Sequence, residues 1–393
     1  MKIKHYDFIL AGGGAAGLSL AFYLNERWPQ RSLLIVDEEV KRHNDHTWCF
    51  WSPHTSPFDS IAYRTWSKLA VIGKNTHLTL DISPYHYRMI RSVDFYRFMR
   101  QQLAGDPNVD FMLGTAERVV DGLEWAEVLV NEIAYRGDWV FDSRYRPSEY
   151  RPHSRAYHYL TQHFLGWEIE TATPRFDADI PHLFDFRTAQ PGALCFLYVL
   201  PFSRTRGLVE YTLFSANVLA LEAYETGLKT YIEGVLGAID YQIVDVERGI
   251  IPMTDHPQRR RAGERIMNIG TRGGRVKASS GYAFSRIQRD VRAIVASLQK
   301  HGHPFDVPKP PRRYEVFDAT MLHVLERHGG KGARVFLDLF SKNPIERIFR
   351  FLDEEGSLWE NMQLMATVPR WLFVRAGVQT LWRRWLPVNR PAL

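Results

Sequence analysis

The stretch His5-Tyr6-Asp7-Phe8-Ile9-Leu10-Ala11-Gly12-Gly13-Gly14-Ala15-Ala16-Gly17 (5–17) decides the fold. Residues 5–11 read as a short buried strand, 16–28 as a helix and 32–37 (SLLIVD) as a second strand, so the chain opens as a βαβ unit. Three glycines make the turn work. Gly12 permits the tight turn, Gly14 lets the backbone approach a pyrophosphate, and Gly17 lets helix and strand pack closely. The helix N-terminus adds free N–H groups and a positive dipole end. Asp37 stands about twenty residues after Gly17, where a carboxylate accepts hydrogen bonds from ribose hydroxyls. A turn of this kind holds the ADP half of a dinucleotide, and by itself serves FAD or NAD(P) alike.

A later segment leans towards FAD. Gly270-Thr271-Arg272-Gly273-Gly274 precedes Ser279-Ser280-Gly281-Tyr282-Ala283 and a long helix at 283–300. Gly281 at that helix start suits close approach to a flavin or its pyrophosphate; alone, the pattern is also an ordinary pair of helix caps. Arg91, just before a helix at 93–103, is a candidate contact to the FAD phosphates or a plain surface arginine.

Between these segments the pattern changes. Residues 41–90 are aromatic-rich and broken by proline, and 109–142 read as strands, including 125–130 and 138–142. The middle, about 156–248, reads as a largely antiparallel sheet with apolar runs at 193–200 (ALCFLYVL) and 207–214 (GLVEYTLF) and a helix at about 216–236. The remainder is helical and basic. Aromatic residues reach 13%, more than a plain core needs, which points to an aromatic-lined cavity or a membrane-facing surface. The net charge of +6 suits a nucleic acid or an anionic membrane. Cys49 and Cys195 are the only cysteines, so neither a metal site nor a disulfide framework is expected, and the N-terminus lacks a signal-peptide pattern. No apolar run is long enough to span a bilayer.

Several segments together resemble the lycopene cyclases: 6–24, HNDHTWCFW (43–51), LPFSRTRGLVEYTLF (200–214), GIIPMTD (249–255), GTRGGRVKASSGYAFSRI (270–287) and FLDLFSKNPIERIFRFLDEE (336–355). The resemblance implies an α/β, FAD/NAD(P)-binding Rossmann-like fold of the glutathione-reductase/hydroxylase type, with an antiparallel-sheet substrate domain and a helical C-terminal region. The corresponding division is 1–50, 91–150 and 249–303 for FAD, 51–90 and 151–248 for the substrate, and 304–393 for a helical region with a membrane-facing surface. It further implies an isomerase that converts lycopene through γ-carotene to β-carotene, using reduced FAD with NADPH as electron donor. The family's essential carboxylate maps onto Glu210; the usual second acid beside it is replaced by Tyr211. The FLDE segment matches through Asp353 and Glu354, as candidate substrate-side residues.

The chemistry asks for these residue types. Protonation of a terminal alkene gives a tertiary cation, the next double bond captures it, and a proton leaves. Water would trap the cation, so the acid belongs in an apolar tunnel. Glu210 lies in an otherwise apolar strand, where burial would keep it protonated; the local pattern also allows an exposed carboxylate on a polar face. Trp48, Phe50, Trp51, Tyr198 and Tyr211 are candidates to stabilise the cation through their ring faces or, alternatively, core residues. His46 reads as a structural hydrogen-bonder.

Lycopene and other acyclic-ended carotenoids dissolve in lipid, so a membrane surface is an expected partner. The stretch 363–386 mixes Trp371, Phe373, Trp382 and Trp385 with Arg370, Arg375, Arg383 and Arg384, which suits a bilayer interface or an amphipathic helix packed on the enzyme. The expectation is a cytoplasmic enzyme held peripherally at the inner face of the membrane, with no nucleic-acid partner and no obligate protein partner. The rival reading is a flavin monooxygenase or carotenoid oxidoreductase on the same fold.

Overall fold

A computed structural model describes residues 3–152 and 154–385, without the side chains of Glu149, Arg384 and Trp385. The opening βαβ unit forms as read, with strand Lys4–Ala11, helix Ala15–Arg27 and strand Leu33–Asp37. These strands sit inside a parallel sheet with neighbours Val109–Leu113, Ile133–Asp142 and Ile266–Asn268, to which an antiparallel pair, Ala116–Val120 and Ala126–Val130, is appended. Leu33, Leu34, Ile35 and Val36 are all buried because both faces of this sheet are covered. Helices Ala15–Arg27, Ser92–Leu103 and Phe284–His301 supply one cover. The last of these buries Phe284, Ile287, Val291, Ile294, Val295 and Leu298 at helical spacing and ends at Gly302 in the left-handed region.

The second sheet runs Tyr241–Thr254, Tyr159–Thr171, Arg206–Ser215, Leu194–Pro201, His182–Asp185, Lys68–Gly73 and Thr76–Asp81. It is antiparallel except between His182–Asp185 and Lys68–Gly73. Helix Leu221–Gly234 covers one face, and helices from the C-terminal region lie on the other. A small three-stranded sheet (Thr47–Ser52, His86–Arg91, Arg64–Trp66) joins the two halves. The architecture is therefore α/β, Rossmann-like, with a large mostly antiparallel sheet and a helical C-terminal region.

The strand Tyr241–Thr254 escaped the sequence reading. Its apolar residues Ile243, Val244 and Val246 do not alternate, because a bulge leaves Val244 without a register partner: Glu168 pairs Asp245 while Ile169 pairs Ile243. It is also an edge strand with Ile243, Val244, Val246 and Ile250 exposed, so the usual inside-outside pattern is missing. The stretch read as one segment over 363–386 divides into helices Leu358–Met365 and Arg370–Trp385 around Pro369. Residue 386 and the rest of the tail lie outside the described residues. No described helix is long and apolar enough to cross a membrane.

Candidate active site

A cavity of about 680 Å³ opens where the parallel strands end and runs beneath the second sheet. Its nucleotide end follows from the glycine turn. Gly12 takes φ +116°, and a Cβ on Gly17 would run into the Gly12 carbonyl oxygen, so neither position accepts another residue without strain. Gly14 has nothing within 4 Å of where a Cβ would project, so the backbone presents an open cradle. Asp37 lies on the wall, but its carboxylate already accepts hydrogen bonds from the N–H groups of Gly13 (2.6 Å) and Glu39 (2.9 Å). It therefore holds the turn itself, with lone pairs left for further donors. Gly281 lines the cavity at φ +75°, facing Gln162. On the same wall Gln162 Oε1 and Ser280 Oγ are buried with no hydrogen-bond partner among the described residues. An open glycine cradle at a helix N-terminus, with two orphaned polar atoms further along the same cavity, fits a dinucleotide. Arg91 is elsewhere: it donates to Asp94 (2.7 Å) and stacks over Tyr63 (4.1 Å). Among the cations that line the cavity near the glycine turn are Lys41, Arg144 and Arg146.

The far end of the cavity is built by register. Gly166, on the central strand Tyr159–Thr171, pairs with Glu210 on one side and with Glu247 on the other. Tyr198 pairs with Glu210 from the next strand. Directly opposed residues share a face, so both carboxyl groups and the phenol point into one space, and Gly166 leaves the gap between them clear. Glu210 is 7% exposed. Burial, helped by the neighbouring Glu247 charge and opposed by a hydrogen bond from Thr212 (2.5 Å), pushes its carboxyl up to about 8. At neutral pH it is mostly the protonated acid. Burial also raises Glu247, against two donors from Thr47: the N–H to Oε1 (2.9 Å) and the hydroxyl to Oε2 (2.5 Å).

Phe196, Phe214, Phe336 and Leu183 make the walls beside Glu210 apolar. Tyr87 bridges Tyr198 (2.5 Å) and Tyr282 (3.1 Å), and the Cys49 thiol beside them is pushed up to about 12 by burial, so all four groups stay neutral. Trp48 and Tyr198 border the cavity; His46 does so at its rim. Phe50 stacks on Phe284 (4.9 Å) within the core of the parallel-sheet half. Trp51 stacks on Phe349 (4.6 Å) and donates to Asp353 (2.6 Å). Tyr211 sits on the opposite face of its strand, against Tyr224 and Gly227 of the covering helix, because side chains alternate along a strand. The structure does not bring these three to Glu210.

Asp353 and Glu354 also lie outside the cavity lining. Asp353 pairs with Arg289 (3.2 Å), and Glu354 with Lys277 (3.1 Å) and Arg286 (2.7 Å). Lys277 is buried and also holds Asp318 (2.8 Å). This network braces the loop that carries Ser280, Gly281 and Tyr282. Away from the cavity, His158, His323 and Glu326 come within 4.8 Å of one another, but the ring nitrogens are engaged with each other, Asp255 and Gln379. That chain ties helix Arg370–Trp385 to the sheet. The sequence reading missed Glu247, Tyr87, Tyr282 and Gly166; only strand register, invisible without Tyr241–Thr254, places Glu247 opposite Gly166.

The lycopene cyclase protein family model matches residues 7–379, and the chain belongs to that family. A lycopene beta-cyclase from Pseudescherichia vulneris is 25% identical over 260 residues, which are 63% of this chain and 62% of that protein, less than two thirds of its length. Among solved structures, a flavoprotein/dehydrogenase from Cytophaga hutchinsonii shares the fold with a TM-score of 0.62 at 10% identity, over 96% of this chain and all of that one. A geranylgeranyl bacteriochlorophyll reductase-like protein from Thermoplasma acidophilum gives 0.61 at 12%, with 96% and 100% covered. A probable FAD-dependent monooxygenase from Pseudomonas aeruginosa gives 0.57 at 12%, with 89% and 100% covered.

Proposed function

We propose that this member of the lycopene cyclase family is a lycopene beta-cyclase, an isomerase that closes the acyclic ends of lycopene to β-rings by way of γ-carotene. The observation that carries the reading is a buried Glu210, its carboxyl pushed up by burial, on an apolar wall of the cavity that begins at the glycine turn. Glu210 is the general acid: Thr212 occupies Oε1, which leaves Oε2 to carry the proton. Phe196, Phe214 and Phe336 exclude water from the cation that forms, and the rings of Trp48 and Tyr198 face it with negative electrostatic potential. Gly12, Gly14 and Gly281 would hold FAD, Gly17 would let the helix close on the turn, and Asp37 fixes that turn. When bound and reduced by NADPH, FAD would supply an electron-rich ring able to stabilise positive charge. No electrons are consumed per ring.

The substrate reaches the cavity from lipid. Helix Arg370–Trp385 packs one side on Arg313–His328 through buried Ala376 and Thr380, and leaves Trp371 88% and Trp382 65% exposed. Trp359 and Met362 of the preceding helix are exposed as well, and Arg370 and Arg375 lie on the same helix as Trp371 and Trp382. A peripheral site on the inner face of the membrane accounts for this surface.

The test is anaerobic incubation of the protein with lycopene liposomes, FAD and NADPH, with pigments resolved by chromatography. Cyclic carotene formed with no NADPH oxidised beyond the amount that reduces the flavin supports the cyclase. An oxygenated or desaturated product, or no ring in the presence of bound reduced flavin, overturns it.

A further inference from the structure

We infer that Glu247 is the base of this site, taking up the proton that ring closure releases while Glu210 supplies the one that starts it. The inference rests on the cyclase reading above. Two strand spacings separate the backbones of Glu210 and Glu247, about 10 Å, and both side chains enter the gap at Gly166. Their hydrogen bonds differ in kind. Glu247 accepts one bond on each oxygen, from the N–H and the hydroxyl of Thr47, an arrangement that favours the ionised form. Glu210 accepts one, on Oε1, and keeps an oxygen for a proton. Two carboxyl groups with environments of this contrast divide into acid and base. Around Glu247 stand His46, Asp245 and Arg248; around Glu210 stand Cys49, Tyr198 and Tyr282. Of these, His46 favours the charged form of Glu247 and Asp245 opposes it.

The steps balance. The Glu210 proton adds to the terminal alkene, whose π pair forms the new C–H bond and leaves a tertiary cation. The inner double bond supplies the pair for the ring C–C bond and moves the charge into the ring. The ring carbon joined to the polyene then gives its proton to Glu247, and that C–H pair becomes the β-ring double bond. Return of the proton from Glu247 to Glu210 resets the site with no net uptake of protons or electrons.

A misplaced base has a signature beyond rate. The ring cation has two other kinds of neighbouring C–H, on the ring methylene and on the methyl group, and loss from either gives a different ring. Glu247→Gln, assayed as the flavin-loaded enzyme with lycopene liposomes, is expected to lower turnover by about 10²-fold. Its residual product should carry those other double-bond positions, and the acid limb of its pH–rate profile should disappear. Pure β-rings at the wild-type rate, with an unchanged profile, would overturn the assignment. Wild-type activity in Glu210→Gln would instead sink the acid assignment of the cyclase reading, whatever Glu247 does. Should Glu247→Gln fail to fold or to bind flavin by its visible absorbance, Thr47→Val provides the second test. Losing one donor to Glu247 should move the acid limb to higher pH with β-rings still formed, and an unmoved limb counts against the proposal.

Discussion

The two faces of strand Arg206–Ser215 are both buried, yet they belong to different parts of the molecule. Leu208, Glu210, Thr212 and Phe214 face one side, where Glu210 and Phe214 meet the cavity; Val209, Tyr211 and Leu213 face helix Leu221–Gly234. On the helix side each large ring meets a complementary neighbour, Tyr211 against Tyr224 and against the space left by Gly227. On the cavity side a missing side chain at Gly166 leaves room, and two acids look into it. Burial by itself therefore says little about role. What stands across the strand decides it.

The most severe way to probe this contrast is Glu210→Gln, which keeps the shape and removes the proton. Turnover is expected to fall by about 10²- to 10⁴-fold, measured with lycopene liposomes and reduced FAD. The same change should stabilise the fold. The folded carboxyl, at about 8, lies above the ordinary 4.5, so the unfolded chain ionises first as pH rises. The stability this group contributes is complete below 4.5 and is lost as pH rises through 8. Wild type and variant should thus share a melting temperature near pH 4 and separate by a few kcal/mol at pH 8, with the variant the more stable. Equal melting curves at both pH values would show that Glu210 is not held protonated.

On the opposite face, Tyr211→Ala deletes a packed ring. Chemical denaturation should show a loss of about 3–5 kcal/mol, and enzyme that remains folded should keep the alkaline limb of its pH–rate profile. A shifted limb in a folded Tyr211→Ala variant would break the separation of the two faces.

This contrast also marks what the sequence could tell. The glycine turn was legible because its constraints are local: Gly12, Gly14 and Gly17 act through backbone geometry within one turn, and their spacing is itself the signal. The apolar run 207–214 likewise announced a strand, although its pattern alone left open whether Glu210 faced solvent; the structure buries both faces. The cavity beneath the second sheet was not legible, because it depends on which residues oppose one another across three strands. Glu210 and Tyr211 are neighbours in sequence and are separated by the sheet, whereas Glu210 and Glu247 are distant in sequence and share one gap. The bulge at Val244 hid the strand that carries Glu247. Asp353 and Glu354 stood out by resemblance, but their place in an ion-pair network with Lys277, Arg286 and Arg289 depends on contacts between remote segments.

The smallest expected effect is also the most discriminating within the cavity. Tyr198 opposes Glu210 in register and hydrogen-bonds Tyr87 at 2.5 Å, so the phenols are the other protonated groups near the gap. Burial raises Tyr198, Tyr87 and Tyr282 alike, which makes each a weaker acid than a free phenol and a far weaker one than Glu210. Tyr198→Phe removes one hydroxyl and leaves the ring in place, and Tyr87 retains its bond to Tyr282. Stability should fall by about 0.5–1.5 kcal/mol, and turnover should change far less than in Glu210→Gln, because a phenol this reluctant to ionise does not compete as the proton source. If Tyr198→Phe were as inactive as Glu210→Gln, the proton would have to pass through the phenol chain, and Glu210 would act by polarising Tyr198 rather than by protonating the alkene.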